Sequence, residues 1–155
     1  MSLQPGLSAL WLNGGMSTIN TALSGLQAAA VRLAGAASNT ANMRTRGPVP
    51  ATPPTEPVAA ARDSQPRVYQ AVETTQTADA RGGVRAKHEP IRPAYIVEYE
   101  PDSAYANANG EVAAPNVDTV RDTVDQMEAL RAFRANLSVI RTAEEMDEAI
   151  LNVKA

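Results

Sequence analysis

The C-terminal segment, residues 115–155, has apolar residues spaced three or four positions apart along its length and no internal proline or glycine. This spacing places the apolar side chains along one side of an α-helix, with charged residues on the other side. The heptad register slips at two points, which favours packing among several helices over one long two-stranded coil. The apolar positions are Val117, Val120, Val124, Met127, Leu130, Phe133, Leu137, Ile140, Ala143, Met146 and Ile150.

The start of this helix is indicated by Pro115 and Asn116, a turn residue followed by a preferred N-cap residue. Asp118 and Asp122 place negative charge near the positive end of the helix dipole. We therefore expect the helix to begin directly after Asn116.

A second helix is predicted over residues 17–42, where the apolar spacing follows a more regular heptad. Arg32 is the only charged residue in this segment. An exposed helix usually carries many charges, so this helix is expected to be covered by neighbours on most sides. The apolar residues at the heptad positions form a stripe along the helix, which we call its seam. They are Ile19, Leu23, Leu26, Ala30, Leu33 and Ala37.

The middle of the chain divides into a linker and a small β region. Residues 47–66 contain six of the eleven prolines, which favours an extended linker. Alternating or β-rich segments then predict strands at Arg67–Thr75, Gly82–Lys87 and Ala94–Glu100. An Asn-Gly pair at Asn109-Gly110 predicts a hairpin turn after the third strand.

The expected fold is therefore mainly α with a small β region. Long N- and C-terminal helices pair as a coiled-coil-like bundle, and a short β hairpin domain lies between them. The expected divisions are a disordered N-terminal appendage (1–15), an N-terminal helix (16–46), a proline-rich linker (47–66), a β region (67–114) and a C-terminal helix (115–155).

The composition restricts the core and the function classes. Of the 155 residues, 29 are alanine and only five are Phe or Tyr, so a self-sufficient apolar core is doubtful. A net charge of −3 gives no general attraction to nucleic acid or anionic membranes. The chain has no cysteine, no apolar run of about 20 residues and no convincing secretory signal.

The candidate chemistry is sparse. His88 is the only histidine, and its charged and proline neighbours predict a solvated loop residue. The segment from Asp102 to Gly110 lacks the acidic spacing of a calcium loop. The acidic run Glu144–Glu148 is typical of a solvated helix face. We therefore predict no catalytic, cofactor-binding or metal-binding residues, and no cofactor.

Three motifs resemble those of flagellar basal-body rod proteins, most closely the members of the proximal rod. They are Ala-Ser-Asn-Thr-Ala-Asn at residues 37–42, Tyr-Glu-Pro-Asp at 99–102 followed by Asn-Gly at 109–110, and Pro-Asn-Val-Asp at 115–118. The resemblance covers about residues 17–42 and 82–155. The proline-rich stretch and the first fifteen residues depart from the family pattern.

The resemblance implies a structural protein, not an enzyme. In this family the terminal helices stack with those of neighbouring subunits into a helical tube, the basal-body rod that crosses the periplasm and transmits torque. The implied partners are copies of the chain, other rod subunits and the flagellar type III export apparatus, which exports subunits without a cleaved signal. Neither nucleic-acid binding nor membrane insertion is expected.

The residues expected to form the assembly interface come from both helices and their flanks. A soluble helical adaptor or export chaperone remains the alternative function, and an enzyme using His88 with a nearby carboxylate is a second one. The interface residues are Ile19, Leu23, Leu26, Leu33, Asn39, Asn42, Asn116, Val117, Val120, Val124, Met127, Leu130, Phe133, Leu137, Ile140 and Met146.

Overall fold

A computed structural model describes the backbone of residues 6–58, 66–80 and 82–153, and the side chains from residue 17 to residue 152 within those ranges. Along the chain, one long helix comes first, four short strands follow, and a second long helix comes last. The elements are α1 (Gly6–Asn42), β1 (Val72–Ala78), β2 (Val84–Pro90), β3 (Tyr95–Tyr99), β4 (Glu111–Pro115) and α2 (Thr119–Val153). The expected fold class, mainly α with a small β region between two paired helices, is confirmed.

The strands form two separate antiparallel hairpins. Strand β1 pairs with β2 from Val72 opposite Pro90 to Ala78 opposite Val84. Strand β3 pairs with β4 from Tyr95 opposite Pro115 to Tyr99 opposite Glu111. The first hairpin packs on α1. The second packs on the proline-rich segment, where Val68, Ala94, Tyr95 and Ala113 form a buried cluster with Val49 and Val58 against it.

The two helices run antiparallel and meet through small residues. The buried apolar residues in the described parts of the two helices are alanines: Ala22, Ala28, Ala29 and Ala36 on α1 and Ala129 on α2. Near the middle of the interface, a Cβ added to Gly25 would lie 2.5 Å from Oδ1 of Asn136. Small side chains let the helix backbones approach closely, so the pairing does not require the larger apolar residues of either helix.

The proline-rich segment is in contact with the β region over its described part, residues 47–58. The backbone N–H of Ala94 donates to the carbonyl of Pro54 at 2.7 Å, and the Tyr95 hydroxyl donates to the carbonyl of Thr52 at 2.8 Å. Gly47 pairs with Ala113 on the side of β4 away from β3. This stretch therefore covers the hairpin, unlike the plain linker expected from its prolines. Residues 59–65 of the expected linker lie outside the described residues.

Two local predictions are corrected by the structure. Helix α2 is capped by Asp118, not by Asn116, because Oδ1 of Asp118 accepts from the N–H groups of Val120 and Arg121 at 3.0 Å each. Asn116 instead donates to the carbonyl of Pro93. His88 is exposed as expected, but it lies in β2 and not in a loop.

Two further differences concern the ends of elements. Helix α1 includes residues 6–15, for which the sequence predicted an appendage and a break at Gly14-Gly15. A glycine in a helix costs about 1 kcal/mol, which weakens a helix without ending it. Residues 1–5 of that appendage lie outside the described residues. Strand β4 was not predicted, because its sequence Glu-Val-Ala-Ala-Pro has little β propensity and depends on pairing with β3.

Candidate assembly surface

The two helices and the first hairpin are joined at the buried side chain of Asn39, which is 1% exposed. Its Nδ2 donates to the carbonyl of Val72 at 2.8 Å and to Oδ1 of Asp122 at 3.0 Å. Its Oδ1 accepts from the N–H of Val72 and the hydroxyl of Tyr69, both at 3.0 Å. One side chain of α1 therefore satisfies polar groups of β1, of the segment before β1 and of α2 together.

Asp122 is the other buried polar residue of this junction, at 6% exposed. Burial raises the pKa of Asp122, and the nearby carboxylates of Asp125 and Asp118 add to the rise, whereas the hydrogen bond from Asn39 and the charge of Arg121 oppose it. Its second oxygen, Oδ2, is buried and has no hydrogen-bond partner among the described residues.

The only charge in the described part of α1 is used to hold α2. Arg32 contacts Oδ1 of Asp125 and Oε2 of Glu128, each at 3.0 Å. Gln126 adds a hydrogen bond to Thr40 at 2.9 Å. The C-terminal half of α1 is thus bound to the N-terminal half of α2 by polar contacts around the alanine interface.

The predicted seam of α1 lies beside the contact with α2 and only partly inside it. Leu23 and Leu33 are exposed, and Ile19 and Leu26 are half-buried. Asn39 is fully buried within the chain, and Asn42 is half-buried with its Nδ2 donating to the carbonyl of Ser38. The leucines are therefore available at the surface, whereas Asn39 serves the fold of the subunit itself.

The apolar residues predicted to form the seam of α2 fall into a half-buried group and an exposed group. Phe133, Leu137 and Ile140 are half-buried, as are Asn116 and Val117 before the helix. Four larger apolar residues are exposed and define what we call the outer stripe. It consists of Val120 (75% exposed), Val124 (44%), Met127 (48%) and Leu130 (41%).

Most of the outer stripe faces away from α1. Val120 and the buried Ala129 are two and a half helical turns apart, at about 3.6 residues per turn, so they lie on opposite sides of α2. Towards the end of the described helix, Met146, Ile150 and Leu151 are also exposed, at 61%, 59% and 70%. Contiguous exposed apolar residues of this kind usually mark an interaction surface.

Sequence reasoning missed the residues that pair the helices within the chain. The alanine interface steps through Ala22, Ala29 and Ala36, one position from the predicted leucine seam, and its spacing of seven was the available signal. Asp122 was taken only as a charge near the helix dipole. Its burial depends on tertiary contact with Asn39, which periodicity alone does not show.

The described residues contain neither a candidate metal site nor a candidate membrane span. No group of three or more His, Cys, Asp or Glu side chains there is arranged to hold a metal ion. None of the described helices combines the length and apolarity that a membrane span needs.

The class of protein is given by a match between residues 108–153 and the family model described as the C-terminal region of the flagellar basal body rod FlgEFG proteins. The matched residues include β4 and all of α2, and therefore the outer stripe. Over these residues the chain is similar to flagellar basal-body rod proteins.

Individual relatives specify the branch of this class. The chain is 38% identical to the flagellar basal-body rod protein FlgC of Salmonella typhimurium over 137 residues, covering 84% of this chain and 91% of the relative. It is 31% identical to FlgC of Agrobacterium fabrum, covering 79% and 83%. It is 30% identical to FlgC of Aquifex aeolicus, covering 52% and 60%. The chain belongs to the FlgC family of flagellar basal-body rod proteins.

Proposed function

We propose that this chain is a structural subunit of the proximal flagellar rod and that it polymerises through its two terminal helices. In this role it binds copies of itself and other rod subunits and forms part of the shaft that transmits torque across the periplasm. The observation that carries the proposal is the outer stripe, because these large apolar side chains remain exposed after α1 and α2 have paired.

The energetics support burial of this stripe in an assembly. Apolar surface stabilises a contact by about 25 cal/mol per Å² removed from water. The helix pairing within the chain buries mainly alanine, so the larger apolar area of Val120, Val124 and Met127 is still available for contacts between subunits. Subunits that contact each other head to tail without closing a ring form helical filaments, which is the geometry that a rod requires.

The proposal also includes the way the chain reaches the rod and what it does not do. We propose export by the flagellar type III apparatus without a cleaved signal, assembly in the basal body, and no catalytic activity. The sparse candidate chemistry supports this assignment: His88 is exposed, and its ring forms a hydrogen bond with Oγ1 of Thr74 at 3.1 Å. A strain that carries the His88→Ala variant is therefore expected to swim like the wild type.

The first experiment is an in-frame deletion in the source bacterium, with basal bodies imaged by electron microscopy and swimming scored on soft agar. Loss of rod, hook and filament with the membrane ring retained is the expected result. Intact, motile flagella would contradict the proposal and favour the soluble adaptor or chaperone.

A point variant in the deletion strain tests the helix interface. Leu137→Asp places a charge on the half-buried part of the α2 seam and is expected to stop incorporation into the rod. Secretion of the variant into the medium is measured in parallel, so that failed export is separated from failed assembly. Wild-type amounts of the variant in purified basal bodies would contradict the proposal.

A further inference from the structure

The C-terminal half of α2 carries its charges in two blocks of opposite sign. Residues 129–143 contain three arginines and no acidic residue, whereas residues 144–153 contain four acidic residues and no basic one. All seven charged residues are exposed. We call Arg131, Arg134 and Arg141 the basic segment, and Glu144, Glu145 and Glu148 the acidic segment; the fourth acidic residue is Asp147.

Neither segment is neutralised within the described part of the chain. None of the ion pairs found there involves a residue of either segment. Glu128 lies three residues before Arg131, but it pairs with Arg32 of α1. Arg32 is the only charged residue between residues 17 and 42, so this part of α1 supplies no counter-charge to either segment.

Pairing along α2 itself does not account for the two blocks. Opposite charges stabilise a helix when they lie three or four residues apart, but the residues at that distance after Arg134 are Leu137 and Ser138. Arg141 does precede Glu144 and Glu145 by that spacing. No ion pair joins them in the described chain, and a basic residue before an acidic one is the less favourable order.

Both segments reach the side of α2 that faces away from α1. At about 100° of rotation per residue, Arg131 and Arg134 lie about 200° and 140° around the helix from the buried Ala129. By the same measure, Glu145 and Glu148 lie about 160° and 100° from it. The opposite charges therefore share the outer side of α2 but occupy different stretches of its length.

Exposed apolar residues accompany the charges of each segment. Leu130 and Val139 are exposed beside the basic segment, and Met146 and Ile150 are exposed around the acidic segment. A surface ion pair contributes little stability by itself, whereas burial of apolar side chains provides attraction and the charges select partner and orientation. Each segment thus has both components of an interaction surface.

We propose that the basic segment of one copy of this chain lies against the acidic segment of the next copy. This inference rests on the proposed assembly function and names a contact within it. A second copy fits because one chain supplies both surfaces, with three positive and three negative charges that leave no excess when they pair. Each contact joins unlike segments, which is the head-to-tail kind of contact that a growing rod requires.

Charge reversal in the deletion strain tests the contact. Reversing either segment alone is expected to lower recovery of the chain in basal bodies at least tenfold, because like charges then face each other. A chain with both segments reversed again has opposite charges and is expected to be recovered at close to wild-type amounts. Normal recovery after reversal of one segment, or failure of the doubly reversed chain, would overturn the proposal. The substitutions are Arg131→Glu, Arg134→Glu and Arg141→Glu in the basic segment and Glu144→Arg, Glu145→Arg and Glu148→Arg in the acidic segment.

A single substitution with a matched control separates the contact from a change in net charge. Arg134→Glu is expected to lower recovery several-fold. Arg44→Glu makes the same change at an exposed residue after α1 and is expected to be recovered normally. Equal losses in the two variants would overturn the proposal. Secretion into the medium and circular dichroism of the purified chains are measured for every variant, so that failed export or folding is not counted as failed assembly.

Cysteine cross-linking tests the same contact without altering a charge. The sequence has no cysteine, so Ser138→Cys, within the basic segment, and Ala149→Cys, beside the acidic segment, introduce the only thiols. Both positions are exposed. Along one helix they lie about 16 Å apart, beyond the separation of about 7 Å between Cα atoms that a disulfide spans, so any cross-link joins two copies.

Oxidation of purified basal bodies is expected to give dimers and larger multimers of the chain that carries both cysteines. Chains with either cysteine alone are expected to stay monomeric, because the contact joins unlike segments. The absence of multimers from the double variant would overturn the proposal, and so would dimers formed by a single-cysteine chain, since they would indicate a contact between like segments.

The two proposals fail in distinguishable ways. If the deletion strain builds normal rods, the proposed function is wrong. If the deletion strain lacks rods but each singly reversed chain restores them to wild-type levels, only the proposed contact between the basic and acidic segments is wrong.

Discussion

Asn39 connects three parts of the fold, because its amide group, on α1, makes four hydrogen bonds to α2 and to the segment around β1. Few other side chains have both donors and an acceptor in this planar arrangement. Asp would lose the donors to Val72 and Asp122, and a hydrophobic residue would lose all four bonds. The sequence motif identified Asn39 as important, but its role inside the subunit, and not at the surface, emerges only from the tertiary contacts.

Replacing Asn39 by alanine tests this role. The change leaves the N–H of Val72 and Oδ1 of Asp122 without their partner, and each buried unsatisfied group costs about 1–3 kcal/mol. We therefore expect Asn39→Ala to lower the free energy of unfolding by at least about 2 kcal/mol in urea titrations followed by circular dichroism. The control is Asn42→Ala, which removes a bond within α1, for which a loss below about 1 kcal/mol is expected. Equal losses in both variants would contradict the assigned role.

Asp122 gives the subunit a pH dependence whose sign follows from its raised pKa. The native state retains the proton of Asp122 at pH values where the unfolded chain has lost it, so this residue reduces stability as pH rises from its ordinary pKa through the raised one. The charged groups around it are Arg32 from α1, Glu73 from β1, the cap residue Asp118, and Arg121 and Asp125 from α2.

The variant Asp122→Asn removes this titration while keeping an oxygen to accept from Asn39. Its unfolding free energy is expected to match the wild type at pH below the ordinary aspartate pKa and to exceed it at neutral pH. Urea titrations at several pH values measure the difference. A variant less stable than the wild type at neutral pH would show that the ionised carboxylate stabilises the free subunit.

At the scale of elements, expectations drawn from the sequence are correct where a pattern is local and fail where the contacting residues lie far apart in the chain. The 3.6-residue period predicted both helices, and the β-rich segment at Tyr95–Tyr99 is strand β3. The alanine interface was not predicted, because a leucine seam outweighs an adjacent alanine row in any measure of hydrophobicity. Strand β4 was missed for a similar reason, since Val112 and Ala113 are buried by β3 and Gly47 and not by any periodicity of their own.

Adjacent residues of α1 test the alanine interface directly. Ala29 is buried against α2, and Ala30 is exposed one position along the helix. Ala29→Leu is expected to lower the free energy of unfolding by about 1–3 kcal/mol, because added volume in a close helix contact forces the backbones apart. Ala30→Leu, with the same change in composition and helix propensity, is expected to stay within about 0.5 kcal/mol. A destabilisation by Ala30→Leu as large as that by Ala29→Leu would show that another face pairs the helices.

The outer stripe can be altered without weakening the free subunit. Val120→Asp adds a negative charge in the first turn of α2, where the helix dipole favours it, so stability is expected to be unchanged or slightly higher. The same change is expected to lower incorporation into basal bodies at least tenfold, because it places a charge in the subunit contact. Thr119→Asp adds the same charge at the neighbouring exposed position outside the stripe and is expected to assemble normally. Normal assembly of the Val120→Asp variant would show that the N-terminal end of the outer stripe is not part of the interface between subunits.

At the scale of the whole molecule, the chain exposes more surface than a compact monomer. Its accessible surface is 11063 Å², whereas a folded monomer of 16.4 kDa is expected to expose about 7500 Å². The difference is larger than a standard protein–protein interface buries in total, which is about 1600 Å². A single subunit therefore has room for contacts with several neighbours, as a rod subunit requires.

The absence of cysteine from the sequence allows this surface to be measured residue by residue. A single cysteine in place of Val120 provides a unique thiol on the outer stripe. In the free subunit it is expected to react with a maleimide at nearly the rate seen in the urea-unfolded chain, because Val120 is 75% exposed. In purified basal bodies the rate is expected to fall at least tenfold, since the stripe is then covered by a neighbouring subunit. Dissociating the basal bodies in urea must restore the labelling, which confirms that the thiol is intact. Equal labelling rates in free subunits and intact basal bodies would mean that the outer stripe is not the surface through which this subunit assembles.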